Sequence, residues 1–209
     1  MILLIAATEF EIPLFTHQEN QQQDILITGV GAAATLYHLQ KRLQQIDYDL
    51  VIQAGIAGTF NTDLNLGEVV LVGQDTFGDL GMEEKNTFTS IFKSGFVDEN
   101  EFPFENGWLK NKHELLQQSS LKIVNAVTVN KVSDSILQKQ QLINTFDPQV
   151  ESMEGAAFHY VCLQEKIPFI QIRSISNYVG ERDKTKWKIK DAITNLNNEL
   201  GKLVKLLHV

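Results

Sequence analysis

The chain reads as an α/β protein, a three-layer α/β/α sandwich around a mixed, mostly parallel sheet. Three observations predict this. Near-continuous apolar runs such as "MILLIAAT" and "DLVIQAG" mark strands buried on both faces, as in a sheet covered by helices on each side. Helical periodicity alternates with such runs, as in "DILITGVGAAATLYHLQKRLQQI", with apolar positions at Leu36, Leu39 and Leu43. Polar and charged residues then collect where the strands end, the place where such sheets hold ligands.

Taken in order, "MILLIAAT" is the first buried strand and the glutamine-rich "QENQQQ" a surface turn. The second strand gives way at a Gly-containing turn to the first helix. "DLVIQAGIAG" repeats the theme, a buried strand expected to break at Gly55 and Gly58. "LGEVVLVGQDTF" and "LKIVNAVTV" are further strands. Residues 81–118 have few periodic signals and several Gly, Asn and Ser, which predicts a long irregular segment able to cover a site. A helix is expected from Met153 to Gln164, stopped before Pro168. "FIQIRSIS" is the last strand, and a final helix runs from Lys186 to Leu207.

At 209 residues, one domain spanning 1–209 is expected. A hydrophobic fraction of 43% with 21% charged residues is that of a globular protein. The net charge of −8 and pI near 5.1 exclude nucleic acid as the main partner, which needs a basic face. A small anion remains acceptable. The single cysteine, Cys162, allows no intrachain disulfide and is read as a small buried residue on a helix. The first residues lack a basic region and meet Glu9 and Glu11 at once, so they do not read as a signal peptide. With no apolar run long enough for a bilayer, the expectation is a cytoplasmic protein with no membrane partner. His17, His38, His113, His159 and His208 show no ligand spacing, so no metal is implied, nor any other cofactor.

Four polar clusters carry the chemistry. "AATEFE" places Glu9 and Glu11 after the first strand, equally explained as solvated acids at a helix start. "QAGIAGTF" is a Gly-rich turn matching neither dinucleotide nor Walker pattern, for which a plain tight turn suffices. In "VESMEGAAFHY", Ser152 can cap the helix with Glu151 and Glu154 at its amino end, while Gly155, Ala156 and Ala157 keep the first turn thin. Finally "FIQIRSISN" ends a buried strand with Arg173 and Asn177; a buried arginine needs a carboxylate or an anion, and a structural Arg–Glu pair would satisfy it.

In order and spacing, "AATEFE", "QAGIAG", "VESMEGAAFHYVC" and "IPFIQIRSISNYVG" resemble the purine nucleoside phosphorylase and nucleosidase superfamily, from residue 1 to about 207. Within it, "SMEGAAFHYVC" joined to "RSISNYVGERDKTKWKIKDAI" looks most like the futalosine hydrolases of the alternative menaquinone route. The resemblance implies cleavage of the bond between ribose C1′ and purine N9. It places Glu154 on the ribose hydroxyls, Met153 under the sugar, and Glu11 as the carboxylate orienting the attacking water, with Glu9 in reserve. Arg173 would fix that water and the carboxylates around it. Gly55 and Ile56 of the second cluster, and Val132 and Ser133 after a strand, would lie near the substrate. Such enzymes are generally dimers or larger, so a homo-oligomer is expected.

Two departures matter. The adenine-specific nucleosidases carry an aspartate where this chain has Asn177, and a serine where it has Ile56. An amide cannot protonate N7, yet its NH₂ suits the O6 carbonyl of hypoxanthine. That agrees with futalosine, a hypoxanthine nucleoside, and leaves the proton for the leaving base to solvent or to an acid such as Asp79 or Asp183. A phosphorylase would need an arginine soon after the first strand, and none precedes Arg42. A methylthioadenosine-type nucleosidase and a non-catalytic nucleoside sensor are the alternatives.

Overall fold

The computed structural model describes residues 1–16 and 22–207. In chain order, β1 is Ile2–Ala6, followed by a single 3-10 turn at Glu9–Glu11, β2 (Gln23–Ile27), α1 (Ala32–Leu43) and β3 (Leu50–Thr59). Then come β4 (Val69–Phe77), β5 (Gly81–Glu84), β6 (Thr87–Ser90), β7 (Leu109–Lys110), α2 (Leu115–Gln118) and β8 (Lys122–Thr128). The last third holds α3 (Ile136–Phe146), β9 (Val150–Ser152), α4 (Gly155–Gln164), β10 (Phe169–Tyr178) and α5 (Ile189–Leu207).

The sheet is mixed and helix-flanked, as expected, but it also closes on itself. β3 pairs with β9 on one side and β10 on the other; β10 continues to β4, β4 to β8, and β8 back to β9. β1 and β2 extend from β3 in parallel. The first strand shows why it is apolar throughout. Ile2, Leu4 and Ala6 join Leu196, Leu200 and Val204 of α5 in one core, while Leu3 and Ile5 meet Leu39 of α1 and Phe158, Val161 and Cys162 of α4 in another. Alternate side chains feed opposite layers, so no polar residue fits between them. Cys162 is buried on its helix.

Several sequence expectations need correcting. β3 does not break at Gly55 or Gly58 but pairs with β10 along its whole length, from Val51↔Phe169 to Thr59↔Tyr178. Its glycines answer to crowding by neighbouring side chains, not to a turn. Residues 81–118 are not one irregular segment: β5 and β6 form an antiparallel hairpin and β7 pairs with β4. The helix expected from Met153 starts at Gly155, and residues 150–152 are a short strand instead. The last helix starts at Ile189, after a 3-10 turn at Lys184–Lys186. α3 was not foreseen, because Leu142 alone of its residues is buried and its pattern is weak. Residues 18–21 of the glutamine-rich turn, His17 and His208 lie outside the described residues.

Candidate active site

A cleft of about 290 Å³ opens where β1, β3 and β10 end and α4 begins. Its two ends differ in chemistry.

At one end stand two carboxylates and an arginine. The capping turn after β1 folds Glu11 inward: its Oε2 accepts from the Thr8 N–H at 3.1 Å and its Oε1 from the Ile56 N–H of β3 at 3.1 Å. Asn197 of α5 holds the Glu11 carbonyl at 2.8 Å, fixing the turn against the core. Burial raises the Glu11 pKa above the ordinary carboxylate range; the Arg173 charge and the backbone donors pull it back, while Glu154 adds to the rise. Glu154, at the start of α4, accepts from the Gly31 N–H at 3.0 Å and lies 3.7 Å from Nη1 of Arg173.

Arg173 is 1% exposed and also donates from Nη2 to Oε1 of Gln53 at 2.9 Å. Its place explains Gly55. A Cβ there would lie 2.2 Å from Arg173 Nη1 and 2.9 Å from Glu11 Oε1. Glycine is required so that the guanidinium can lie against the strand among the acids. An arginine this deep, with carboxylates on hand, meets the pairing demand read from the sequence.

Behind α4 lies a second polar layer. Thr128 donates to Asp75 at 3.0 Å and accepts from the Ala156 N–H at 2.7 Å, tying down the helix start. Burial pushes Asp75 up to about 7 and the neighbouring His159 down to about 4.

The other end is set by Asn177, Glu151 and Val132. The Ser176 hydroxyl sits 2.8 Å from Asn177 Oδ1, and Asn177 Nδ2 donates to the Tyr178 carbonyl at 3.2 Å. The second N–H of that amide has no partner among the described residues. Glu151 is 6% exposed, and burial with the nearby Asp79 charge pushes its carboxyl up to about 7, against the opposing pull of Arg182.

Of the residues singled out in the sequence, Glu11, Ile56, Val132, Met153, Glu154 and Asn177 line the cleft, with Arg173 and Gly55 directly behind its wall. Glu9 is exposed and outside it, which removes it as the reserve for Glu11. Ser133 is also outside, its hydroxyl accepting from the Ser135 N–H at 3.0 Å. Asp79 accepts from the Asn130 N–H at 2.6 Å and Asp183 caps the Lys184–Lys186 turn; neither lines the cleft. Residues 81–118 contribute nothing to its lining, contrary to the covering role expected of them. Sequence reasoning missed Phe10, Trp187 and Glu151. Trp187, an aromatic set among lysines in "KTKWKI", was the visible signal; Glu151 passed for a helix-end acid.

A mixed sheet closed around β3, with a cleft of two acids and an arginine at its strand ends, defines a nucleoside phosphorylase-type fold. The same fold occurs in the 5′-methylthioadenosine/S-adenosylhomocysteine nucleosidase of Neisseria meningitidis, solved with methylthio-immucillin-A (TM-score 0.80, 17% identity, 98% of each chain). The chain belongs to the phosphorylase superfamily, whose family model matches residues 7–208. In sequence it is similar to the futalosine hydrolase of Thermus thermophilus, 29% identical over 86% of this chain and 80% of that protein. It is likewise similar to the futalosine hydrolase of Streptomyces coelicolor, 29% identical over 96% of this chain and 86% of that one.

Proposed function

We propose that the protein is a nucleosidase that hydrolyses the N-glycosidic bond of futalosine. It releases hypoxanthine and dehypoxanthine futalosine, a step in the futalosine route of menaquinone biosynthesis. The observation that carries the reading is the Asn177 amide. Its oxygen is engaged by Ser176 and one N–H by Tyr178, leaving an N–H to offer the base. A free donor suits the O6 carbonyl of hypoxanthine and faces the amino group of adenine donor to donor. A mismatch of this kind costs about 1–3 kcal/mol, enough to select the base. The two futalosine hydrolases similar to this chain support the same substrate.

At the sugar end, Glu154 takes the ribose hydroxyls and Met153 packs under the ring. As C1′ becomes cationic, the two carboxylates stabilise it and Arg173 holds them apart in fixed positions. Glu11, its pKa raised, receives the proton of the attacking water. Water is favoured over phosphate because the nearest candidate cation by sequence, Arg42, is engaged with Asp24 and Tyr48 away from the cleft. The active form is read as a homodimer or larger, consistent with Phe10 and Val30 standing 66% and 58% exposed at the cleft.

The test is a product assay with purified protein, with and without phosphate. Phosphate-independent hypoxanthine release from futalosine, well above release from inosine, is the expected result. Adenine release from methylthioadenosine instead would replace futalosine by the rival substrate. Binding without any release would make the protein a sensor.

A further inference from the structure

An amide at position 177 leaves the departing base without a proton donor, and the sheet register supplies one. Asn177 of β10 pairs with Gly58 of β3, and Gly58 in turn pairs with Glu151 of β9. The three residues form one row across three strands, so their side chains share a face. At the usual strand spacing the backbones of Asn177 and Glu151 stand roughly 10 Å apart. Between them Gly58 has no side chain, and a Cβ there would come within 3.2 Å of Asn177 Nδ2. The row is therefore a notch with an amide on one side and a carboxyl on the other, and both line the cleft.

We infer that Glu151 is the general acid of the reaction, handing its proton to the base as the base leaves. The inference rests on the nucleosidase reading of the cleft. As the C1′–N9 bond breaks, its electron pair enters the purine, and the proton on Glu151 passes to a ring nitrogen. Water bonds to C1′ and gives its proton to Glu11. Solvent then returns a proton to Glu151 and takes one from Glu11, so the enzyme ends unchanged.

The surroundings of Glu151 fit a stored proton. Among the described residues its carboxyl has no hydrogen-bond donor and no ion-pair partner. Its neighbours along the row and on β8, Gly58 and Val127, carry no charge. The charged groups facing it are Asp79 after β4, which favours the protonated form, and Arg182 after β10, which opposes it. With its carboxyl pushed up to about 7, Glu151 still carries its proton in part at neutral pH. The acid form is lost as pH rises through that value. Glu11, by contrast, is held by two backbone donors that stabilise its carboxylate. Burial raises both carboxyls, but Glu11 has donors in place for its carboxylate and Glu151 has none among the described residues, so one is set to take a proton and the other to give one.

The experiment compares wild type, Glu151→Gln and Glu151→Asp on the purine nucleoside that the wild type turns over and on p-nitrophenyl β-riboside. The nitrophenolate leaves without a proton. Glu151→Gln is expected to lower kcat for the nucleoside by about 10²–10⁴-fold, with KM little changed, and to leave the riboside nearly untouched. Glu151→Asp should recover part of the loss. The alkaline limb of the wild-type kcat profile should vanish in Glu151→Gln. Equal losses on both substrates, no loss on the nucleoside, or an unchanged alkaline limb would overturn the assignment. A wild type that releases no base at all would overturn the nucleosidase reading itself, a separate failure visible before any variant is made.

Discussion

At the sugar end of the cleft the charged side chains are tied to the protein: Glu11 to Thr8 and Ile56, Glu154 to Gly31 and Arg173, Arg173 to Gln53. At the end we assign to the base the ties are fewer: Asn177 is held by Ser176 and Tyr178 but keeps one N–H in reserve, and among the described residues the Glu151 carboxyl has no donor. On the proposed nucleosidase reading, the contrast follows from what each end meets. A developing positive charge is stabilised best by groups already fixed in place, because none of that arrangement is then repeated during the reaction. A base is chosen by hydrogen bonds it must itself complete, so the protein leaves those positions open.

Breaking the fixed end should have the largest effect. Glu154→Gln keeps the shape and the Gly31 contact but removes the charge under the ribose. We expect kcat/KM to fall by about 10³-fold with the melting temperature held within a few degrees. A variant of ordinary activity would show that the two ends do not divide the work as described. Changing the open end should redirect more than abolish. Asn177→Asp offers adenine an acceptor, and the ratio of hypoxanthine to adenine release should drop by about 10–100-fold, measured by competing the two nucleosides in one tube. An unchanged ratio would detach Asn177 from base choice.

The smallest effect on turnover is expected in the layer behind α4, where the contrast between the ends predicts none. Asp75 is pushed up to about 7 by burial, against an ordinary value of 3.8. The folded chain therefore keeps a proton that the unfolded chain releases across that window. Stability from this group is highest below about pH 4 and declines toward pH 7, by about 1.4 kcal/mol per unit for one proton. Asp75→Asn should flatten that slope in melting curves recorded from pH 4 to 7 while kcat stays near wild type. A slope that persists would place the titration elsewhere.

At the fixed end Arg173 was legible because a charge in a buried strand violates its surroundings, which needs no knowledge of register to be noticed. Glu11 and Glu154 were not, since acids at helix starts are ordinary, and their roles came from the resemblance alone. Gly55 and Gly58 were visible but misread, since glycine in a strand signals a turn and a crowded neighbour alike, and the neighbour, Arg173, is far away in sequence. Glu151 was hidden for a different reason. A strand of three residues carries no periodic pattern, so nothing in "VES" tells that it pairs with Gly58 and not with the first turn of a helix. The pairing that closes the sheet is likewise a relation between segments, absent from any one of them.

That closure bears on how the molecule is made and unmade. β3 is gripped on one side by β9 and on the other by β10, both supplied by the last third of the chain. Until β10 docks, no partner exists for Gly55, no arginine reaches Glu154, and the notch at Gly58 has one side. Pairings this distant in sequence are slow to form, and a newly made chain would stay inert until nearly its whole length had emerged. Once the ring is shut, β10 covers one edge of β3 from Val51 to Thr59, and β1 and β9 hold the two ends of the other edge. Its amide hydrogens should be among the slowest in the molecule to exchange with solvent.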